Sequence, residues 1–234
     1  MCRSASAAGG RKIIRTLSLP SPLLNTAASL TFSKLGCIKG GRQLFRDIDC
    51  GLSAGQWLYV TGANGVGKTS LLRMVCGLAS IESGQILWND VPIQKQPDLY
   101  RQDLCYLGHL NALQESMSVD ENLCFTAALG GLALAREQRL QVLAHFGLRG
   151  RSQQLVRHLS QGQKRRVALS RLALSPAQLW VLDEPYVAMD EAGIVLLAQL
   201  IDQHLEKGGL VVLTSHQKVP IGERPAQLLE LKAA

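Results

Sequence analysis

The sequence predicts an α/β fold, a mostly parallel sheet covered by helices. Three observations carry this. Residues 57–61, WLYVT, form an apolar run that passes directly into a glycine-rich loop and then into a helical pattern. Residues 179–182 and 210–213 are two further apolar runs, separated by a helical stretch over 193–205. Hydrophobic strands that alternate with helices are what a parallel sheet buried on both faces requires.

The elements follow in order. Residues 1–27 mix Ser, Ala, Gly, Pro and Arg without a sustained period and are expected to be an extension outside the fold, leaving residues 28–234 as the domain. The strand at 57–61 leads into the loop at 62–69 and a helix expected over 70–78. A short β stretch at 85–88 has Gly84 before it and Asn89 and Asp90 as its turn. Residues 110–175 form a more helical middle section, in which Ser118 and Glu121 make a capping box. The next helical region, 156–174, is stopped by Ser175 and Pro176. No internal repeat interrupts this order.

Composition excludes several classes. The longest apolar runs fall far short of the ~20 residues that cross a bilayer, so no integral membrane span is expected. The net charge of +7 is uneven, because residues 1–46 carry eight basic residues and no acid, while the remainder carries 17 basic and 18 acidic residues. The basic arm reads as a solvated tail, as an attraction to anionic headgroups, or as an organellar transit segment. A near-neutral domain without aromatic-basic interleaving argues against nucleic acid as a partner. The six cysteines show neither zinc spacing nor a C-x-x-C-H haem motif and read as reduced, small core residues.

Four motifs carry chemistry. The first is Gly62, Ala63, Asn64, Gly65, Val66, Gly67, Lys68 and Thr69, with Ser70 following. Glycines let the amides turn inward around phosphate oxygens, and the helix N-terminus adds its positive end. Lys68 is placed to reach the β- and γ-phosphates of ATP, and the Thr69 hydroxyl to ligate Mg2+. The second is the strand ending in Asp183 and Glu184. Alternation sends these carboxylates to opposite faces, so Asp183 can hold Mg2+ while Glu184 takes a proton from the attacking water. The third is Ser160, Gln161, Gly162 and Gln163, a capped helix start that forms a second anion site. One chain offers one γ-phosphate, already held by the first loop, so this site is expected to serve a nucleotide on another copy. The fourth is His216, placed after the 210–214 strand to bond the γ-phosphate or the water.

These residues resemble the pattern of ATP-binding cassette (ABC) ATPases over about residues 29–218. The loop resembles Walker A, residues 179–183 resemble Walker B, and LSQGQ resembles the LSGGQ signature. Ala188, Met189 and Asp190 look like the D-loop, and His216 like the switch histidine. The resemblance implies a P-loop NTPase fold of the ABC ATPase type: a mostly parallel sheet core, an antiparallel β part and an inserted helical subdomain near 110–175. It also implies a head-to-tail homodimer with two ATPs at its interface. Within that superfamily the stretches LLRMVCGL, LSQGQKRRVALSRL and LWVLDEPYVAMD are similar to the haem-exporter ATPases of cytochrome c maturation. So is His109, at a Q-loop position where most ABC ATPases carry glutamine. That resemblance implies a peripheral subunit on the cytoplasmic face of a bacterial inner membrane, or the matrix face of a mitochondrial one. Its partners would be an integral-membrane permease and membrane proteins that handle a haem chaperone. Alternatives are an exporter ATPase for another cargo, a soluble non-transport ABC protein, and a nucleotide-gated module that does not hydrolyse.

Two departures stand out. Gln161 replaces the first signature glycine. No aromatic residue lies in residues 35–42 to stack on adenine, which leaves Ile38 or Arg42 for the base.

Overall fold

The computed structural model describes residues 27–216, 221 and 224–232, so the expected N-terminal extension lies, Ala27 apart, outside the described residues. The elements in chain order are β1 (Ser29–Lys39), β2 (Arg42–Ser53), β3 (Trp57–Thr61), α1 (Lys68–Val75), β4 (Ser83–Trp88), β5 (Val91–Pro92), α2 (Pro97–Gln102) and β6 (Leu104–Leu107). They continue with α3 (Val119–Leu129), α4 (Arg136–His145), α5 (Gln161–Leu174), β7 (Leu179–Asp183), α6 (Glu191–Glu206), β8 (Leu210–Thr214) and β9 (Gln227–Glu230).

Two sheets result. One is antiparallel in the order β2-β1-β4-β5, the other parallel in the order β6-β7-β8-β3-β9. Tight turns set the antiparallel registers: Gly40 and Gly41 join β1 to β2, and Asn89 and Asp90 join β4 to β5, all four at positive φ. Turns of that hand match the twist of the strands they join.

The parallel sheet divides the core. Leu58, Val60, Leu179, Val181, Leu210 and Val212 pack toward α1 and the antiparallel sheet. Their neighbours Trp57, Trp180, Leu182, Val211 and Leu213 pack toward α5 and α6 on the other face. This is period-two alternation with both faces buried.

Two helices differ from expectation. α1 starts at Lys68 because Gly67, at φ 111, is its N-cap. The region 156–174 is not one helix: a 3-10 turn at Val156–His158 precedes extended Leu159 and Ser160, and α5 begins only at Gln161. An N-cap serine needs extended backbone to bring its hydroxyl onto the helix amides, which interrupts the run. Cys124 also departs from the core reading, since it is exposed, whereas Cys37 and Cys76 are buried.

Candidate functional site

Sheet order assembles the site. Thr61, Asp183 and Thr214 end β3, β7 and β8, which lie side by side, with β6 beyond β7. The segments that follow carry the glycine loop, Glu184, His216 and His109, all at the carboxyl edge of a parallel sheet where α/β folds bind ligands.

The loop after β3 is shaped by its glycines. Gly62, Gly65 and Gly67 have φ of 138, 78 and 111. A Cβ on Gly62 would lie 2.5 Å from the Leu231 carbonyl oxygen, and one on Gly67 3.1 Å from the Phe45 ring. Val66 is buried beneath the loop. Lys68 Nζ folds across it and donates to the carbonyls of Gly62 at 2.8 Å and Ala63 at 3.2 Å. The ammonium thus stands over the concavity that the loop encloses.

At the strand ends, Asp183 is 3% exposed and its Oδ1 accepts from Thr214 Oγ1 at 2.8 Å. The same hydroxyl accepts from the Glu184 amide at 3.0 Å. Glu184 sits at φ 50, a left-handed conformation that is strained for a residue with a Cβ. Its Oε2 accepts from the His216 amide at 3.2 Å, and its Oε1 lies 3.3 Å from His216 Nε2. The Tyr59 hydroxyl donates to the Ser215 carbonyl at 3.0 Å and so supports the His216 segment from β3. Burial raises the Tyr59 pKa, with the Glu184 charge adding to it, so this hydroxyl keeps its proton.

Lys68, Thr69, His109, Asp183, Glu184 and His216 all line one cleft of ≈ 500 Å³ together with Asn64, Gly65, Gly67 and Ser70. These sequence-predicted residues therefore converge, while Gly62, Ala63 and Val66 of the loop do not line the cleft. Lys39 and Leu44 line the same cleft, whereas Ile38 and Arg42, the side chains the sequence offered for a base, do not.

The signature residues build a different cleft. Ser160 Oγ accepts from the Gln163 amide at 3.2 Å, and Gln163 Oε1 accepts from the Ser160 amide at 3.0 Å, a closed capping box. A Cβ on Gly162 would lie 3.3 Å from the Ala188 carbonyl, so helix and D-loop approach closely there. Ser160, Gly162, Gln163, Arg151, Arg166 and Asp190 line this second cleft, which shares no lining residue with the first. Gln161 lines neither cleft and is exposed. Asp190 caps α6 through the Gly193 amide at 3.0 Å. Its carboxyl is held below the usual aspartate range, first by the Arg166 guanidinium and then by the Gly193 amide.

Residues 45–187 match the family described as ABC transporter. The chain belongs to the ABC transporter family. It is an ATP-binding subunit of that family, whose activity is ATP hydrolysis. The cytochrome c biogenesis ATP-binding export protein CcmA of Albidiferax ferrireducens is 73% identical over 210 residues, 90% of this chain and 100% of that one. Its counterpart in Dechloromonas aromatica is 47% identical over 82% of this chain and 94% of its own length. Among solved structures, a putative ABC transporter ATP-binding protein from Pyrococcus furiosus superposes with a TM-score of 0.75 at 25% identity, covering 87% of this chain and 97% of that one. As in that family, the antiparallel part and the helix-covered parallel sheet share one ATPase fold.

Three residues of the site were given no role from sequence: Thr214, Tyr59 and Arg165. Each lies in a stretch the sequence singles out (the 210–214 run, WLYVT and LSQGQKRRVALSRL), but each acts on a partner distant in the chain.

Proposed function

We propose that this chain is the ATP-hydrolysing subunit of an exporter complex that serves haem handling in c-type cytochrome biogenesis. The relationship to the export protein of Albidiferax ferrireducens, 73% identity across that protein's whole length, carries this reading. The partners are an integral-membrane permease and membrane proteins that release a haem-loaded chaperone. The subunit docks peripherally on that permease; among the described residues no helix is long and apolar enough to cross a membrane. Relatives from bacteria favour the cytoplasmic face of an inner membrane over the mitochondrial matrix face.

The mechanism follows from the two clefts. Amides of residues 62–69 cradle the ATP phosphates, and the Lys68 ammonium exchanges its carbonyl partners for β- and γ-phosphate oxygens. Among the described residues no cluster of three or more His, Cys, Asp or Glu side chains is formed that could hold a metal. Thr69 and Asp183 line the nucleotide cleft, and their hydroxyl and carboxylate oxygens are the hard donors that would hold Mg2+, which would there neutralise phosphate charge. Glu184 accepts the proton of the attacking water, and His216, 3.3 Å from it, orients toward the γ-phosphate. His109 closes the cleft from β6.

Ser160, Gly162 and Gln163 lie in the other cleft and serve the nucleotide of a second copy, with Asp190 beside them. The working unit is a head-to-tail homodimer with two composite sites. Residues 110–175 act as the helical subdomain that carries the signature.

Complementation tests the reading. In a strain lacking the gene, the wild-type chain restores haem-stained c-type cytochromes and Lys68→Ala does not. Full cytochrome maturation in the uncomplemented strain would refute the assignment of cargo.

A further inference from the structure

Arg165 lies just past the four signature residues and lines neither cleft, yet it is 3% exposed and carries a charge beneath the Glu184 and His109 segments. Four neutral acceptors surround its guanidinium. Nε donates to the Pro185 carbonyl at 3.1 Å, and Nη2 to the Glu184 carbonyl at 2.9 Å. Nη1 donates to the Gly108 carbonyl at 3.3 Å and to Asn111 Oδ1 at 3.1 Å. Burial lowers the Arg165 pKa from its ordinary value, and the nearby Asp183 charge offsets part of this. A buried cation without a bonded carboxylate is costly, and an apolar side chain would fill the space more cheaply. Guanidinium is instead the side chain whose fixed fork of donors can span several carbonyls at once.

The acceptors fall on two segments that matter. Glu184 and Pro185 follow β7, and Glu184 holds its strained φ of 50 between the Thr214 hydroxyl on its amide and Arg165 on its carbonyl. Gly108 and Asn111 flank His109. The same helix holds that segment twice more, through Arg171 to the Asn111 carbonyl at 3.3 Å and through a Lys164–Glu115 ion pair. α5 itself begins at the signature, with Gln161 one helical turn before Arg165.

We propose that Arg165 is a positioning residue for hydrolysis, fixing the Glu184 peptide and the His109 segment to one guanidinium on the signature helix. Glu184 is thereby aimed from the helix whose N-terminus meets the nucleotide of the second copy. The inference rests on the reading that Glu184 activates water. Arg165 does not touch the phosphate loop, so its loss acts on turnover and leaves binding in place.

The test uses the complex purified from membranes with its permease. Arg165→Gln is expected to lower kcat at least about tenfold, the cost of a misplaced reacting group, while affinity for the non-hydrolysable analogue AMP-PNP stays within about twofold. Arg165→Lys, which keeps the charge but loses the fork, is expected to fall between Gln and wild type. Arg139→Gln breaks a mostly buried ion pair with Asp120 in the helical region and serves as a stability control with wild-type kcat. Asn111→Ala removes one acceptor of the same guanidinium and is expected to lower kcat at unchanged AMP-PNP affinity. It decides the matter if the Arg165 variants do not fold. Wild-type kcat in Arg165→Gln or Asn111→Ala, a parallel loss of AMP-PNP affinity, or an equal loss in Arg139→Gln would overturn the proposal. Retained turnover in Glu184→Gln would instead strike the reading beneath it.

Discussion

Arg166 and Asp190 form a two-point ion pair at 2.6 and 2.7 Å that ties the signature helix to the N-terminus of α6. The pair walls the second cleft, and its aspartate is 65% exposed. Its value to stability is accordingly small, within about 1 kcal/mol. Arg166→Gln is expected to leave urea unfolding at neutral pH nearly unchanged while lowering ATP turnover, because Asp190 loses its partner on the wall of the cleft that holds Ser160 and Gly162. The sign with pH is set by the depressed Asp190 pKa. The contribution is complete above the ordinary aspartate value and disappears as pH falls through the lower folded value.

Thr214→Val tests the strand ends. The change is close to isosteric, but it removes the donor to Asp183 Oδ1 and the acceptor for the Glu184 amide in a fully buried place. Each unsatisfied group costs about 1–3 kcal/mol. With two groups affected, denaturant unfolding should show a loss of about 2–6 kcal/mol, and turnover should fall with it. Unchanged stability would mean that Asp183 and Glu184 find other partners.

His204 gives the fold a defined acid weakness. It is buried, stacks on Trp180 at 3.8 Å, and lies with Nε2 3.1 Å from the Gln178 carbonyl. Burial pushes its pKa down to about 4. The unfolded chain binds this proton below about 6.5, so stability is full above that pH and declines as pH falls toward about 4. The whole effect is about 3 kcal/mol. His204→Phe keeps the stack and should flatten the decline measured by chemical unfolding between those two values.

Much of this was legible in the sequence, where signals are local. The glycine loop and both capping boxes, Ser118 with Glu121 and Ser160 with Gln163, are contiguous patterns, and the structure forms each of them. The apolar runs of β3, β7 and β8 likewise announce a parallel sheet. What stayed hidden depends on partners brought together by folding. Tyr59 meets Ser215 across 156 residues, and Arg165 meets Gly108 across 57. In sequence Arg165 is one of three consecutive basic residues, Lys164 to Arg166, and nothing local marks it as the buried one. The break before α5 was missed because residues 156–158 continue a helical pattern that the Ser160 cap overrides locally.

Composite sites predict a mixing result. Ser160→Arg subunits and Lys68→Ala subunits should each be inactive alone. Combined, they form dimers in which one site has both defects and the other has none, so turnover should recover in the mixture. No gain above the separate proteins would argue against independent composite sites.

The most direct measurement is ATP turnover and dimer formation in Glu184→Gln. The carboxamide keeps the shape beside His216 but cannot take a proton from water. The predicted result is a loss of turnover of at least about a hundredfold, with an ATP-bound dimer accumulating on size-exclusion chromatography. Turnover at the wild-type rate, with no trapped dimer, would contradict the account.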